Sequence, residues 1–136
     1  PDWRSRWCHG GTGIGLARLA MARRGRTSEV LTTDVARALE GAERLWPCDV
    51  DSLCCGALGM VELSCDAGRA LGRPDLVAAA RRRLGAIIGA AAARGDYRWN
   101  GGEGRFNPGL FRGLSGVGYT CLRQVHATLP NILVWE

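Results

Sequence analysis

Two stretches of the chain space their apolar residues by threes and fours. From Ser28 to Leu45, the residues Leu31, Val35, Ala38, Leu39, Ala42 and Leu45 share one face, with charges opposite, which predicts a one-sided amphipathic helix. From Pro74 to Arg94, Leu76, Ala80, Leu84, Ile87, Ile88 and Ala91 repeat the pattern; Pro74 suits a first helical position and Gly95 suits the stop. Three further segments open on a shared G-x-x-G-apolar pattern: GGTGI at 10–14, GALGM at 56–60 and GLSGV at 113–117. Each runs into a stretch that can be helical: GLARLAMARR, VELSCDAGRAL and GYTCLRQVHA. The glycines allow a tight turn and a close approach of the helix backbone to its neighbours. Strand signals are absent apart from the short apolar tail ILVW.

The predicted order is therefore a Gly-started helix, an amphipathic helix, the same pair again, a long Gly-rich loop, and a third Gly-started helix. Such alternation suits stacked helical hairpins, with Gly-started helices inside and amphipathic ones outside. We expect an all-α chain of the α/α solenoid or toroid kind. The copies are 46 and then 57 residues apart, so inserted loops absorb the difference, chiefly DYRWNGGEGRFN from Asp96 to Asn107.

Composition narrows the class without naming it. The chain has 136 residues, 46% of them hydrophobic, enough for one domain or part of a larger one. The net charge of +5 is scattered through helical segments, and no basic run interleaves with aromatics, so the arginines read as solvated helix faces rather than a nucleic-acid surface. Six cysteines are too sparse for a disulfide scaffold, which favours a reducing, cytoplasmic setting. The longest apolar stretch, AIIGAAAA at 86–93, is too short to span a bilayer. The chain starts without Met close to a Cys-His pair, and reads as a piece of a longer protein.

The cysteines carry the chemistry. Cys8 lies two residues before the first G-x-x-G copy and Cys55 immediately before the second. Both copies start inner helices, so these thiols fall at one end of the bundle, and Cys54 can join them if its loop turns inward. A helix N-terminus favours thiolate over thiol. Three thiolates converging there suit zinc, and three protein ligands leave the open fourth position of a catalytic site. Such a unit keeps a net charge of about −1, so a fourth thiolate stays nucleophilic. Cys65 and Cys121 lie inside helices and read as small buried hydrophobes. Cys48, in WPCDVD, is open between a fourth ligand, a resolving thiol and no special role. His9 follows Cys8 and points elsewhere, which suits hydrogen bonding or packing better than ligation. His126 reads as a cation at a helix C-terminus, and Asp49 and Asp51 as loop residues. GGTGIG lacks the preceding strand and acidic partner of a dinucleotide site.

Four segments together resemble a known family. WCHGGTGIGLARL at 7–19, DSLCCGALGMVEL at 51–63, FNPGLFRGLSGVGYTCLR at 106–123 and LPNILVWE at 129–136 are similar to the C-terminal part of LanC-like lanthionine cyclases. They most resemble the cyclase domain ending class II, LanM-type, lanthipeptide synthetases. The resemblance implies a double α-barrel, or α/α toroid, with zinc at the mouth of its inner ring. The family's ligands, a Cys in a W-C-x-G motif and a Cys-His pair in a C-H-G motif, carry over to Cys8, Cys54 and Cys55. Cys55 departs from the usual His, which resembles a C-C-G subgroup with three cysteine ligands.

The implied reaction adds a peptide Cys thiolate to dehydroalanine or dehydrobutyrine in a dehydrated precursor peptide, closing a lanthionine or methyllanthionine ring. The resemblance implies an acid–base His and Asp upstream of residue 1, and a dehydratase module on the same parent polypeptide. Arg4 falls where the family often has a basic residue near zinc, and is the remaining catalytic candidate. On this reading residues 1–136 are the C-terminal portion of the domain and inactive alone. The alternative is a LanC-like zinc protein that holds glutathione or another thiol without cyclising a peptide. A glycosidase on the same fold would need paired acidic residues, and only Asp49 and Asp51 are available.

Overall fold

Both amphipathic helices form where the apolar spacing puts them. A computed structural model describes residues 5–99 and 106–135, which hold five α-helices: α1 (Gly11–Arg23), α2 (Glu29–Arg44), α3 (Ala57–Ala70), α4 (Pro74–Arg94) and α5 (Leu114–Val125). The described chain is all-α. Ser28 caps α2 by accepting from the Leu31 N–H at 3.3 Å, a contact that stabilises a helix start by about 1 kcal/mol. Pro74 starts α4, and Gly95 ends it at φ 86°, a left-handed turn that suits glycine. The other three helices begin one residue into their G-x-x-G copies, with Gly10, Gly56 and Gly113 at the N-caps. The glycine pattern is thus the first helical turn itself.

The layers follow the predicted order. α2 packs on α1, α4 packs on α3, and α3 lies between α1 and α5. The outer helices bury only a stripe: Val35, Ala38 and Ala42 in α2; Ala80, Leu84, Ile87 and Ala91 in α4. Ile88, expected on that stripe, is 38% exposed; it sits a further 100° round the helix from Ile87, past the edge of the contact. α3 is different. Every residue from Ala57 to Gly68 is buried, so no one-sided pattern marks it.

The chain's tail supplies the missing cover. Residues 132–135 form turns rather than the strand their composition suggested, because side chains, not a neighbouring strand, take up their polar groups. Trp7 Nε1 donates to the Leu133 carbonyl at 2.9 Å, Tyr119 donates to the Pro130 carbonyl at 2.9 Å, and Arg123 Nε donates to the Leu129 carbonyl at 3.3 Å. Asn131 Nδ2 donates to Asp66 at 2.8 Å. The tail is a strap laid across the inner helices, with Asn131 and Leu133 buried.

Not all arginines are solvated. Arg123 of α5 is buried and its guanidinium bridges two buried carboxylates of α3, Glu62 and Asp66, the latter at 3.1 Å. Burial pushes the Glu62 carboxyl up to about 7 against the opposing charge of Arg123, with nearby Asp66 adding to the rise. Asp66 also pairs with Arg23 at 3.6 Å, so the two carboxylates share more than one cation. No described helix is long and apolar enough to cross a membrane.

Candidate metal centre

The second glycine of each copy sets the register of the loop before it. A Cβ on Gly13 would overlap the Trp7 carbonyl oxygen, one on Gly59 the Leu53 carbonyl oxygen, and one on Gly116 the Leu110 carbonyl oxygen. In all three copies the loop folds back on the first helical turn at the same offset. Further contacts repeat too. The Ala57 N–H donates to the Val50 carbonyl at 2.8 Å and the Leu114 N–H to the Asn107 carbonyl at 2.7 Å. Thr12 and Ser115 donate their hydroxyls to the carbonyls of Ser5 and Pro108.

That register makes Cys8, Cys54 and Phe111 equivalent, and likewise His9, Cys55 and Arg112. The three loops are also tied edge to edge. The Trp7 N–H donates to the Cys54 carbonyl at 3.1 Å, and the Cys54 N–H donates to the Phe111 carbonyl at 2.8 Å. Cysteines distant in sequence therefore arrive at one level because they occupy the same slot of a repeated loop.

The sulfurs converge. Cys8 Sγ lies 3.6 Å from Cys55 Sγ, Cys54 Sγ lies 3.1 Å from Cys55 Sγ, and all three lie within 4.8 Å of one another. Thiolates on one tetrahedral zinc, at bonds of about 2.3 Å, stand about 3.8 Å apart, so the triad fits that ion with small adjustments. Cys54 and Cys55 are buried and Cys8 is exposed, leaving the group open on the Cys8 side. Among the described His, Cys, Asp and Glu residues none makes a fourth member. Cys48 lies outside this group.

The electrostatics differ within the triad. Burial pushes the Cys54 thiol up to about 12, helped by its contacts with Cys55 and Cys8. Burial also opposes ionisation of Cys55, but there the hydrogen bonds with Cys54 and Cys8 and the positive charges of Arg112 and Arg6 prevail, and its value falls. Ionisation is thus easier at Cys55, in the middle of the group, than at Cys54, and the ionised form is the one a soft cation takes.

The chain matches the model of the family described as lanthionine synthetase C-like protein over residues 1–134. It belongs to that family. No curated protein and no solved structure matches it. LanC-like proteins are generally lanthionine synthetase cyclases that act on peptides, and they often bind zinc.

The remaining sequence candidates sort themselves by place. His9 stands outside the thiol group and its Nδ1 lies 2.9 Å from Cys8 Sγ, a hydrogen-bonding position as its sequence context suggested. His126 is the C-cap of α5. Cys65 is buried and Cys121 half-buried, both within helices. Arg4 lies outside the described residues, as does part of the 96–107 loop.

Asp51 was read only as a loop residue, and its role was missed. It is fully buried and accepts from the Arg98 N–H at 2.8 Å, Arg98 Nη2 at 2.6 Å and Arg94 Nη2 at 3.3 Å. Asp51 thereby pins the loop that presents Cys54 and Cys55 to the end of α4. Its closeness to the Cys pair was the only signal, and the arginine partners lie more than forty residues on.

Proposed function

We propose that Cys8, Cys54 and Cys55 hold a zinc ion in a LanC-like cyclase domain, and that the domain closes lanthionine and methyllanthionine rings. In this reaction the Cys thiolate of a dehydrated precursor peptide adds to the β-carbon of dehydroalanine or dehydrobutyrine, the carbon–carbon double bond becomes single, and the α-carbon takes up a proton. The observation that carries this reading is the convergence of three thiols, open on one side, in a chain of this family. Zinc, when bound, would supply the Lewis acidity that lowers the pKa of a substrate thiol in the fourth position. The chain's own residues hold the thiols at one level, bury two of them away from water, and leave the Cys8 side free for a peptide. The acid–base partners, a His and an Asp, are proposed to lie upstream of residue 1, with Arg4 as a further candidate near the reacting centre.

We also propose that residues 1–136 are the C-terminal portion of this domain, in a cytoplasmic class II synthetase of the C-C-G type whose dehydratase module lies on the same polypeptide. The exposed apolar flank of α5, with Leu114, Leu122 and Val125 at 42%, 50% and 73% exposure, supports the first part of this reading. The isolated piece is then inactive and unfolds at low temperature. A cooperative, high-temperature transition for residues 1–136 alone would contradict that.

In the complete polypeptide, Cys54→Ala or Cys55→Ala should abolish zinc content and ring closure while dehydration continues. Unchanged zinc by elemental analysis would sink the assignment. A zinc protein that only held glutathione would bind that thiol yet close no ring in a dehydrated peptide.

A further inference from the structure

Beside the thiols runs a groove of about 760 Å³ whose lining includes Trp7, Cys8, His9, Ile14, Leu133 and Trp135. One wall is α1, where Ile14 is 51% exposed; the other is the tail strap. Its walls are mainly apolar. Among the described lining residues Arg18 is the only Lys or Arg, and that side chain already pairs with Asp34 at 2.8 Å. The groove therefore complements an apolar group rather than an ion.

Two of the lining rings, Trp7 and Trp135, belong to an aromatic row with Phe111 between them. Trp7 and Phe111 stack with centroids 5.4 Å apart and planes 3° from parallel. Phe111 meets Trp135 edge-on at 6.4 Å and 62°. Trp7 and Phe111 are positioned by the copy register itself, since they belong to the loops that precede α1 and α5. Trp135 is held differently. It is 79% exposed, and its backbone is left-handed at φ 58°, a conformation bulky L-residues rarely adopt. The ring stands against Phe111 and lines the groove, where burial alone gives no reason for a large apolar side chain.

We infer that Trp135, backed by Phe111 and Trp7, is a specificity-determining residue that grips an apolar or aromatic side chain next to the substrate cysteine in the peptide. This inference rests on the cyclase reading. The occupant follows from continuity: Cys8 belongs to both the thiol group and the groove. Successive Cα atoms are about 3.8 Å apart, so a peptide whose thiol takes the open position beside Cys8 places its neighbouring residue in the groove. An aromatic row offers that side chain large rigid area at low entropic cost.

The test uses the complete zinc-loaded polypeptide and two fluorescein-labelled peptides that differ only beside their single cysteine, Phe in one and Ser in the other. Anisotropy titrations should show the Phe peptide binding about tenfold tighter to the wild type. Trp135→Ala and Trp135→Gln should each cut that preference to within about twofold, Trp135→Phe should keep most of it, and zinc content should be unchanged in all three. Zinc-dependent binding with no preference in the wild type would overturn the inference and leave the cyclase reading standing. A preference that survives both Trp135→Ala and Trp135→Gln would also overturn it. No zinc-dependent binding of either peptide would overturn both.

Discussion

Gly13→Ala adds one carbon atom and, on this structure, disturbs the metal centre without touching a sulfur. The new Cβ overlaps the Trp7 carbonyl oxygen, and ordinary contact begins at 3.4 Å. The oxygen must withdraw by about 1 Å or more to reach it. α1 has little room to yield in its place, because Gly15, two residues on, lies where even a Cβ would crowd Ala38 and Leu63. The Trp7 carbonyl is bonded to the Cys8 nitrogen, so Cys8 moves with it. Zinc sites tolerate bond-length errors of about 0.2 Å. The displacement is several times that, and zinc affinity should fall by about tenfold to a hundredfold, or about 1.4 to 2.8 kcal/mol. Competition against a chromophoric chelator measures it on the complete polypeptide. Gly85→Ala is the control: nothing lies within 4 Å of its Cβ, and the change should leave zinc affinity alone while favouring the helix by about 0.5–1 kcal/mol. Equal affinities for Gly13→Ala and the wild type would refute the claim that the copy register positions Cys8.

Other consequences concern the residues around that centre. Cys48→Ser, Cys65→Ala and Cys121→Ser should keep full zinc content by elemental analysis, because none belongs to the converging group. The Glu62 carboxyl is raised from 4.5 to about 7 in the folded chain, so its stabilising contribution is complete below 4.5 and is lost as pH rises through 7. That shift corresponds to about 3 kcal/mol; urea unfolding should show the wild type gaining up to that amount between pH 8 and pH 5, and Glu62→Gln should flatten the gain. Asp51→Ala strands two arginines and frees the Cys54–Cys55 loop, so zinc affinity should fall by about tenfold in the chelator assay, whereas Asp49→Ala should leave it unchanged.

Much of this was legible because α2 and α4 are one-sided, and a one-sided helix writes its packing into its spacing. The glycine copies were legible as helix starts, but not as a common register, which appears only when Gly13, Gly59 and Gly116 are each seen against a carbonyl six residues back. α3 gave little away, since a helix covered on every side has no polar face to set the period. The tail misled for a related reason: Ile132, Leu133 and Val134 are apolar because they pack against the core, not because they form a strand. At the site, the three cysteines followed from loop position and family resemblance. Asp51 and Arg123 did not, because buried ion pairs join residues far apart in the chain, and a charged letter does not say whether its side chain meets water or a partner.

The central claim is a zinc ion held by three protein thiolates with one position open. X-ray absorption at the zinc edge of the complete polypeptide tests it most directly. The account predicts three sulfur neighbours at about 2.3 Å and one lighter oxygen or nitrogen neighbour, with the lighter one replaced by a fourth sulfur when a cysteine-containing peptide is added. A shell of four sulfurs before any peptide is present, or one dominated by nitrogen and oxygen, would contradict it.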